Sequence, residues 1–317
     1  MTGYIFERVL LMFPTVLLVV TLTFALMHII PGDAVLAQIE EGTNLRPEQL
    51  QLMRERLGLD KPLYVQYGEW LWGLVRLDAG VSLFTGRPVI DQLKRAIPIS
   101  IELIIFSQIL SISVAIPIGV LSAIRQDTWM DYLLRTTSIG MLAAPSFWIA
   151  TMVIIFGAYW LFWSPPIGYM PIWEDPIKNL QQLFLPSVII GLSGSATKMR
   201  MTRSMVLEVL RQDYIRTARA KGLSETVVLV RHVLKNSLIP VITIWGASIA
   251  GLVNGSIIIE NIFGLPGVGR SMITAISNSD MTQLQINVLF YASVIMVINL
   301  IVDISYTWFD PRVRYRD

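Results

Sequence analysis

The chain has 317 residues, of which 54% are hydrophobic and 15% are charged, and its formal net charge is +2. Soluble domains carry roughly a quarter of charged residues, so this composition indicates a membrane domain rather than a soluble one. The absence of cysteine excludes disulfides, iron–sulfur clusters and cysteine nucleophiles, and two histidines leave no basis for a multi-histidine metal site. The small net charge favours neither nucleic acid nor an acidic partner.

Six apolar segments are long enough to cross a bilayer, which takes about 20 residues. The first lacks the cleavage site of a signal peptide and is predicted to be retained. The fourth is the weakest, because it turns small and basic before it is complete. Prolines near span starts cost little, whereas Pro117 and Pro145 predict kinks. The spans are placed at 9–30, 99–124, 136–162, 183–203, 238–260 and 283–307, with Pro14, Pro98, Pro186 and Pro240 near their starts.

The basic residues of the short loops predict the orientation. The segments 164–182 and 261–282 carry one basic residue each, Lys178 and Arg270. The alternate side carries nine Lys or Arg residues between 198 and 235 alone. By the positive-inside rule that side is cytoplasmic, and both termini are predicted to lie inside.

The long segment 31–97 is predicted to lie outside the membrane as a partly helical domain. "NLRPEQLQLMRERLGL", residues 44–59, has apolar residues on one helical face and a glycine near its end. "YVQYGEWLWGLVRL", residues 64–77, has enough aromatic residues to lie against a membrane or a partner. The segment is interpreted as a cap packed on the span ends, as a docking surface for an external protein, or as both.

A basic stretch between the fourth and fifth spans predicts a helix, a glycine turn and a second helix. Apolar residues recur at helical spacing from Val206, so we expect a helix to about Lys221, ended by Gly222. Ser224 is a plausible cap of the next helix. The charges could serve only to set topology and to contact anionic lipid. Against that interpretation, the turn concentrates small residues, which let another backbone come close.

The same stretch, "DYIRTARAKGLSE…RHVLKNSLIPVIT", resembles the cytoplasmic loop of ATP-binding-cassette (ABC) importer permeases. The chain is most similar to the first permease of the dipeptide, oligopeptide, nickel and glutathione importers. Further motifs extend the resemblance over nearly the whole chain, although Arg216 and Lys235 replace the acidic residue and the proline of the broader signature. The motifs are "IIPGDAV", "ERLGLDKPLYVQY", "APSFW", "IIENIFGLPGVGRSMITAI" and "NLIVDISYTWFDPRVRY".

The resemblance implies an all-α, six-span type I importer permease fold. It divides the chain into the N-terminus and first span (1–30), the external domain (31–97) and a core permease domain (98–317) with a coupling loop at 204–236. In this family the loop forms a coupling helix that sits in a cleft on a cytoplasmic ATPase. Ala218 and Gly222 are expected at the closest approach. The docking residues implied are Asp213, Tyr214, Arg216, Thr217, Ala218, Arg219, Ala220, Lys221, Gly222, Leu223 and Ser224.

The family also implies partners and a location. The partners are a second permease, two ATPases that bind ATP and Mg²⁺, an external binding protein and membrane lipid, and nucleic acid is not among them. The location is a bacterial or archaeal plasma membrane. This chain itself is expected to be non-catalytic and to hold no cofactor or metal. "GLSGSATK", residues 191–198, lacks the Gly-Lys-Ser/Thr of a phosphate loop and is predicted to be a site of close helix packing.

Charged and polar residues inside spans are candidate functional sites. Glu102, Glu260 and His28 are expected near the outer ends of their spans, Glu102 at a helix N-terminus, and Asp303 near the cytoplasmic end. The residues named for the pathway are Asn254, Ser256 and Glu260.

The cargo remains open at this point. Peptides are the first expectation, and nickel, glutathione or oligosaccharides are alternatives within the same architecture. A stand-alone secondary transporter would show internal inverted repeats, and none is evident. A membrane-embedded enzyme would need a cluster of polar catalytic residues at one depth, which the sequence does not offer.

Overall fold

The computed structural model describes residues 2–29, 51, 60–82 and 84–309, and within them every regular element is helical. An isolated antiparallel bridge joins Val81 to Pro88 before the second long helix. The elements are α1 (Thr2–Ile29), α2 (Leu63–Val75), α3 (Val89–Ile124), α4 (Trp129–Ala143), α5 (Ser146–Leu161), α6 (Pro176–Leu210), α7 (Asp213–Ala220), α8 (Glu225–Val227), the π-helical segment π1 (Val228–Leu234), α9 (Lys235–Phe263), α10 (Val268–Ser277) and α11 (Met281–Phe309).

The six predicted spans fall in α1, α3, the α4–α5 pair, α6, α9 and α11. By length and hydropathy alone, two helices in the described part could cross a membrane, Val89–Ile124 and Met281–Val302. The α4–α5 pair makes a third if the bent pair is one span, and α1 and α9 contain shorter apolar stretches. The all-helical fold class with membrane-spanning helices is confirmed. Among the helices that hold the predicted spans, α6 has the most polar composition, as its basic end predicts.

Helices α3 and α6 pack along a seam of small residues. Ser107, Ser111 and Ala115 of α3 are buried at intervals of four residues. A Cβ atom at Gly191 of α6 would lie 2.8 Å from the Ser107 carbonyl oxygen, so only glycine allows this approach. Residues 191–198 lie inside α6, which confirms the prediction of helix packing over a phosphate loop.

The third predicted span is two helices rather than one. Helix α4 ends at Ala143, α5 starts after Pro145, and their axes differ by 90°. Ala144 has φ −90° and ψ 118°, the extended conformation that a following proline favours. The predicted kink at Pro145 is therefore a complete break.

Prolines that were expected near span starts lie well inside their helices. Pro14, Pro98, Pro186 and Pro240 are all interior, and α3 begins at Val89, nine residues before Pro98. The helices extend beyond the apolar runs into polar sequence, which is why hydropathy placed their starts too late. Helix α3 also continues through Pro117.

Helix α2, in the segment predicted to lie outside the membrane, contacts α1 through aromatic side chains. The ring of Phe24 lies 5.3 Å from that of Tyr67 and 5.8 Å from that of Trp70, both on α2. The Tyr67 hydroxyl also hydrogen-bonds with Thr21 at 2.8 Å. These contacts agree with a cap packed on a span end. The helix predicted over 44–59 lies, except for Gln51, outside the described residues.

Buried apolar side chains form separate clusters at the two ends of the bundle. One, which we call the α7 cluster, joins the last turns of α3 and α6 to α7 and π1. Its buried members are Val120, Ala123, Val206, Ile215, Ala218, Val228 and Val233. At the other end, a second cluster connects α3, α5, α6 and α9, and it includes Leu103, Leu183 and Ile259.

Candidate functional site

Helix α7 is a separate short helix rather than the continuation of α6. Helix α6 ends at Leu210, and Gln212 is extended, with φ −73° and ψ 146°. The expected uninterrupted helix from Val206 to Lys221 is therefore wrong, since the backbone turns at residues 211–212. Asp213 lies in the first turn of α7 and Arg219 in the last, the charge placement that suits the helix dipole.

One face of α7 is packed against the rest of the chain and the other is exposed. Ile215 and Ala218 are buried in the α7 cluster. Ala218, which was expected at the closest approach to a partner, turns its side chain into the chain's own interior, and that role stays a prediction. The remaining predicted docking residues are exposed: Asp213, Tyr214, Arg216, Thr217, Arg219, Ala220, Lys221, Gly222, Leu223 and Ser224.

Gly222 makes the turn that follows α7. Its φ of +77° lies in the left-handed region that favours glycine, and a Cβ atom added here would meet no other atom within 4 Å. Ser224 is extended and precedes α8, but its side chain forms no capping hydrogen bond. The predicted glycine turn is confirmed, and the predicted serine cap is not.

Polar contacts close the loop around α7. Arg219 donates from Nε to Glu225 at 2.8 Å and from Nη2 at 3.2 Å, which links α7 to α8 across the turn. The Asn236 amide donates to the Tyr214 hydroxyl at 3.0 Å, which links α7 to α9. Because these contacts are exposed, they contribute little to the stability of the fold, and their main effect is to fix the conformation of the loop.

A buried ion pair lies behind α7. Asp131 of α4 is fully buried and accepts hydrogen bonds from Arg203 of α6, from Nε at 2.9 Å and from Nη2 at 2.7 Å. The Ser122 hydroxyl and the Asp127 amide also donate to this carboxylate. The hydrogen bonds from Arg203 lower the pKa of Asp131 below its ordinary value, and burial opposes them only in part.

The residues named for the pathway lie far along α9 from α7. Ser256 is buried and donates to the Val253 carbonyl, whereas Asn254 is exposed. Glu260 is fully buried, and one of its oxygens accepts from the Gly269 amide at 2.7 Å and from the Arg270 amide at 3.2 Å. Glu260 therefore caps the N-terminus of α10 in this structure. The structure does not bring these three residues together with the docking residues.

The other charged residues expected inside spans have mixed outcomes. Glu102 lies well inside α3, because that helix begins at Val89, so the expected position at a helix N-terminus is wrong. Its carboxylate accepts from the Asn179 amide at 2.7 Å, which joins α3 to α6. The side chains of His28 and Asp303 lie outside the described part.

Two polar features were missed by the sequence analysis. The Asp131–Arg203 pair was missed because its partners are 72 residues apart. Arg203 was counted only among the basic residues between 198 and 235, and Asp131 was not singled out. Lys198 was treated as a basic residue near the membrane surface. It is 2% exposed in the α3–α6 seam and donates to Gln108 at 3.0 Å and Ser111 at 2.8 Å. The polar residues Gln108 and Ser111, three residues apart in an apolar span, were the sequence signal for this buried site.

Comparison with known families assigns almost the whole chain. Residues 115–315 match the family described as binding-protein-dependent transport system inner membrane component. Residues 1–104 match the N-terminal family of the same membrane components. The first of these matches includes α6, α7 and π1.

Several relatives match the chain end to end. A Brucella abortus (strain 2308) protein, named provisionally as a peptide transport system permease, is 40% identical and covers 99% of this chain and 100% of its own length. The dipeptide transport system permease protein of Alkalihalophilus pseudofirmus is 36% identical over 99% of this chain and 100% of its own. The glutathione transport system permease protein of Escherichia coli K12 is 33% identical over the full length of both.

A solved structure, an amino acid ABC transporter crystallised with histidines, also matches. It covers 70% of this chain and 94% of its own, with 11% sequence identity and a TM-score of 0.49.

Proposed function

The chain belongs to the binding-protein-dependent transport system inner membrane components, the permeases of ABC importers, and on this premise we propose that it forms half of a pathway for peptides. It is a multi-pass inner-membrane subunit, and its relatives are transport permeases rather than enzymes. We place α7 and both termini in the cytoplasm. An external binding protein delivers the cargo, and a second permease completes the pathway.

The observation that carries this proposal is the division of α7 into an anchored and an exposed face. Ile215 and Ala218 pack against the ends of α3 and α6. A force on α7 is therefore transmitted to the bundle through direct side-chain contacts and not through a flexible loop. The exposed face carries Tyr214 and Arg216 and ends in the open turn at Gly222. This arrangement suits a helix that inserts into a cleft of a separate protein.

ATP acts on the partner subunits in this proposal. Two cytoplasmic ATPases bind ATP and Mg²⁺, and their closure moves α7. The described residues support this division of labour, since the glycine-rich segments that resemble nucleotide-binding turns have other roles. Residues 191–198 pack in a helix seam, and the second glycine-rich segment, "GLPGVGR" at residues 264–270, forms the turn from α9 into the start of α10.

Small peptides are the cargo class we propose. Relatives of similar identity are named for peptide, dipeptide and glutathione transport. Glutathione is itself a tripeptide, so the three names share the chemistry of a short chain with amide bonds and a carboxylate. Nickel and oligosaccharides are the alternatives within this architecture.

Reconstitution tests the proposal and its main rival. The chain is placed in liposomes alone, and also together with the second permease, the ATPases and the binding protein. We expect uptake of a radiolabelled dipeptide only with the complete set and ATP, and reduction of that uptake by unlabelled tripeptide. Accumulation by the chain alone under an ion gradient would instead identify a secondary transporter.

A further inference from the structure

Helix α4 is attached to the rest of the chain by few buried side chains. Its buried residues are Asp131 and Ser138. Ser138 donates its hydroxyl to the Arg135 carbonyl within the same helix, so this hydrogen bond does not join α4 to another element. Exposed apolar residues cover much of the helix surface, including Trp129 at 73% and Ile139 at 58% exposure. Asp131 is therefore the buried side chain of α4 whose hydrogen bonds join this helix to other elements.

That attachment gathers three other parts of the chain. Arg203 of α6 binds both oxygens of the Asp131 carboxylate, Ser122 donates from the end of α3, and the Asp127 amide donates from the α3–α4 turn. The fork of a guanidinium on a carboxylate fixes orientation as well as distance. Because Asp131 has no exposed surface, water cannot replace these bonds without opening the site.

The same end of α6 also holds α7. Arg203 lies seven residues before the end of α6, and Val206, one turn further on, is buried against α7 in the α7 cluster. Ser122 lies between Val120 and Ala123, the two buried residues that α3 contributes to that cluster. The ion pair and the α7 cluster thus share the last turns of α3 and α6 as a common base.

We propose that Asp131 and Arg203 are positioning residues that carry the movement of α7 to α4 and, through α4, to α5. This inference rests on the proposed function, in which an ATPase moves α7. When α7 moves, the apolar cluster takes the ends of α3 and α6 with it. The buried pair makes α4 follow, and the 90° bend at Pro145 turns that movement onto α5. Without the pair, the movement of α6 is not fully transmitted to α4.

The test measures coupling rather than activity alone. The complete transporter is reconstituted with Asp131→Asn, and dipeptide uptake and ATP hydrolysis are measured on the same liposomes. We expect the variant to co-purify with the ATPases and to hydrolyse ATP, while cargo moved per ATP falls about tenfold. The control is Glu174→Gln in the loop between α5 and α6, which removes an exposed charge and should leave the ratio unchanged.

A second variant covers the case in which Asp131→Asn does not assemble. Arg203→Lys keeps the charge but loses the planar fork, so we expect assembly with a reduced ratio of cargo to ATP. An unchanged ratio in the assembled variants, or uptake and hydrolysis that fall in the same proportion, would overturn the proposal. Failure of the wild-type complex to import with ATP would instead refute the proposed function, so the two failures are distinct.

Discussion

At the scale of single residues, Glu260 shows how a buried carboxylate can organise the turn between α9 and α10. Its side chain accepts from the first amides of α10, where a helix has unsatisfied donors. The α10 start is also held by Ser100, whose hydroxyl accepts from the Val268 amide at 2.9 Å. A Cβ atom at Gly267 would collide with the Glu260 carboxylate, so glycine is required for this close contact. Glu260 therefore has a structural role whether or not cargo passes near it.

We predict that Glu260→Ala destabilises the protein much more than Glu260→Gln does. Alanine leaves the buried Gly269 amide without an acceptor, at about 1–3 kcal/mol, and also frees the partly buried Arg270 amide, whereas glutamine keeps a carbonyl oxygen for both. Thermal unfolding of the purified transporter in detergent measures the difference, and Glu174→Ala, at an exposed position, is the control. Equal losses of Tm in the alanine and glutamine variants would contradict the capping role.

Asp131 makes stability depend on pH in a defined window. Its pKa in the folded protein lies below the ordinary value near 4, so the folded state binds fewer protons than the unfolded state at acidic pH. The stabilisation by the ion pair is therefore fully present above about pH 4 and is lost as the pH falls through the lower folded pKa.

We predict that wild type is more stable than Asp131→Asn by about 3–5 kcal/mol near neutral pH, because the variant leaves Arg203 without its buried partner. The difference should stay constant from pH 8 to 5 and shrink below pH 4. Denaturant or thermal unfolding of both proteins across that range is the measurement. A difference that grows on acidification would show that the carboxylate is not held in its charged form.

Single residues also mark where sequence reasoning stops. Gly222 was predictable, because a turn after a helix needs a residue with positive φ and glycine is the one at hand. Asp131 and Lys198 were not, since their roles depend on which helix faces them. A charge near the end of a span has the same sequence signature whether it meets a buried partner or a lipid headgroup.

At the scale of elements, hydropathy predicted where the helices lie in the chain but not the residues at which they begin and end. The α4–α5 break was indicated by Pro145, but its 90° angle depends on how both helices pack. The separation of α7 from α6 was missed because the apolar spacing continues across Arg211 and Gln212. The π1 segment had no sequence signal that we can identify, and we have no physical account of its length.

We predict that Ala220→Trp prevents docking of the ATPases while leaving the chain folded. Ala220 is exposed on α7, so the larger side chain enters no interior of this chain. Co-purification with the ATPases should fall at least about tenfold, which corresponds to 1.4 kcal/mol of binding. Glu174→Trp, an exposed position in the loop between α5 and α6, should retain full association.

Gly222→Trp is a less selective probe of the same surface, since any larger residue at φ +77° also strains the turn. Gly222→Asn separates the two effects, because asparagine tolerates the left-handed conformation. If Ala220→Trp and Gly222→Trp both retained full association and uptake, the exposed face of α7 would not be the docking surface.

At the scale of the whole molecule, one chain leaves much apolar surface uncovered. Phe13 of α1, Tyr159 of α5 and Val297 of α11 are exposed at 71%, 76% and 48%. In water such surface would drive aggregation, whereas in a bilayer it contacts acyl chains. The interior, by contrast, is closed by small-residue seams and buried polar contacts. This division between outside and inside is what a subunit of a membrane complex requires.

The orientation of the molecule can be tested directly because the chain has no cysteine. Single cysteines are introduced at exposed positions, Thr217 on α7 and Gln126 after α3 for the predicted inner side, and Glu174 and Ser277 for the outer side. We predict that a membrane-impermeant maleimide labels Glu174→Cys and Ser277→Cys in intact cells or, with an outer membrane, in spheroplasts. Thr217→Cys and Gln126→Cys should react only after the membrane is opened, because the positive-inside rule places the basic loops in the cytoplasm. ATP-dependent uptake by each variant confirms that the labelled protein is native. Labelling of Thr217→Cys from outside would place α7 on the side of the membrane opposite any cytoplasmic ATPase. That result would refute both the coupling role of α7 and the transmission of its movement through Asp131 and Arg203.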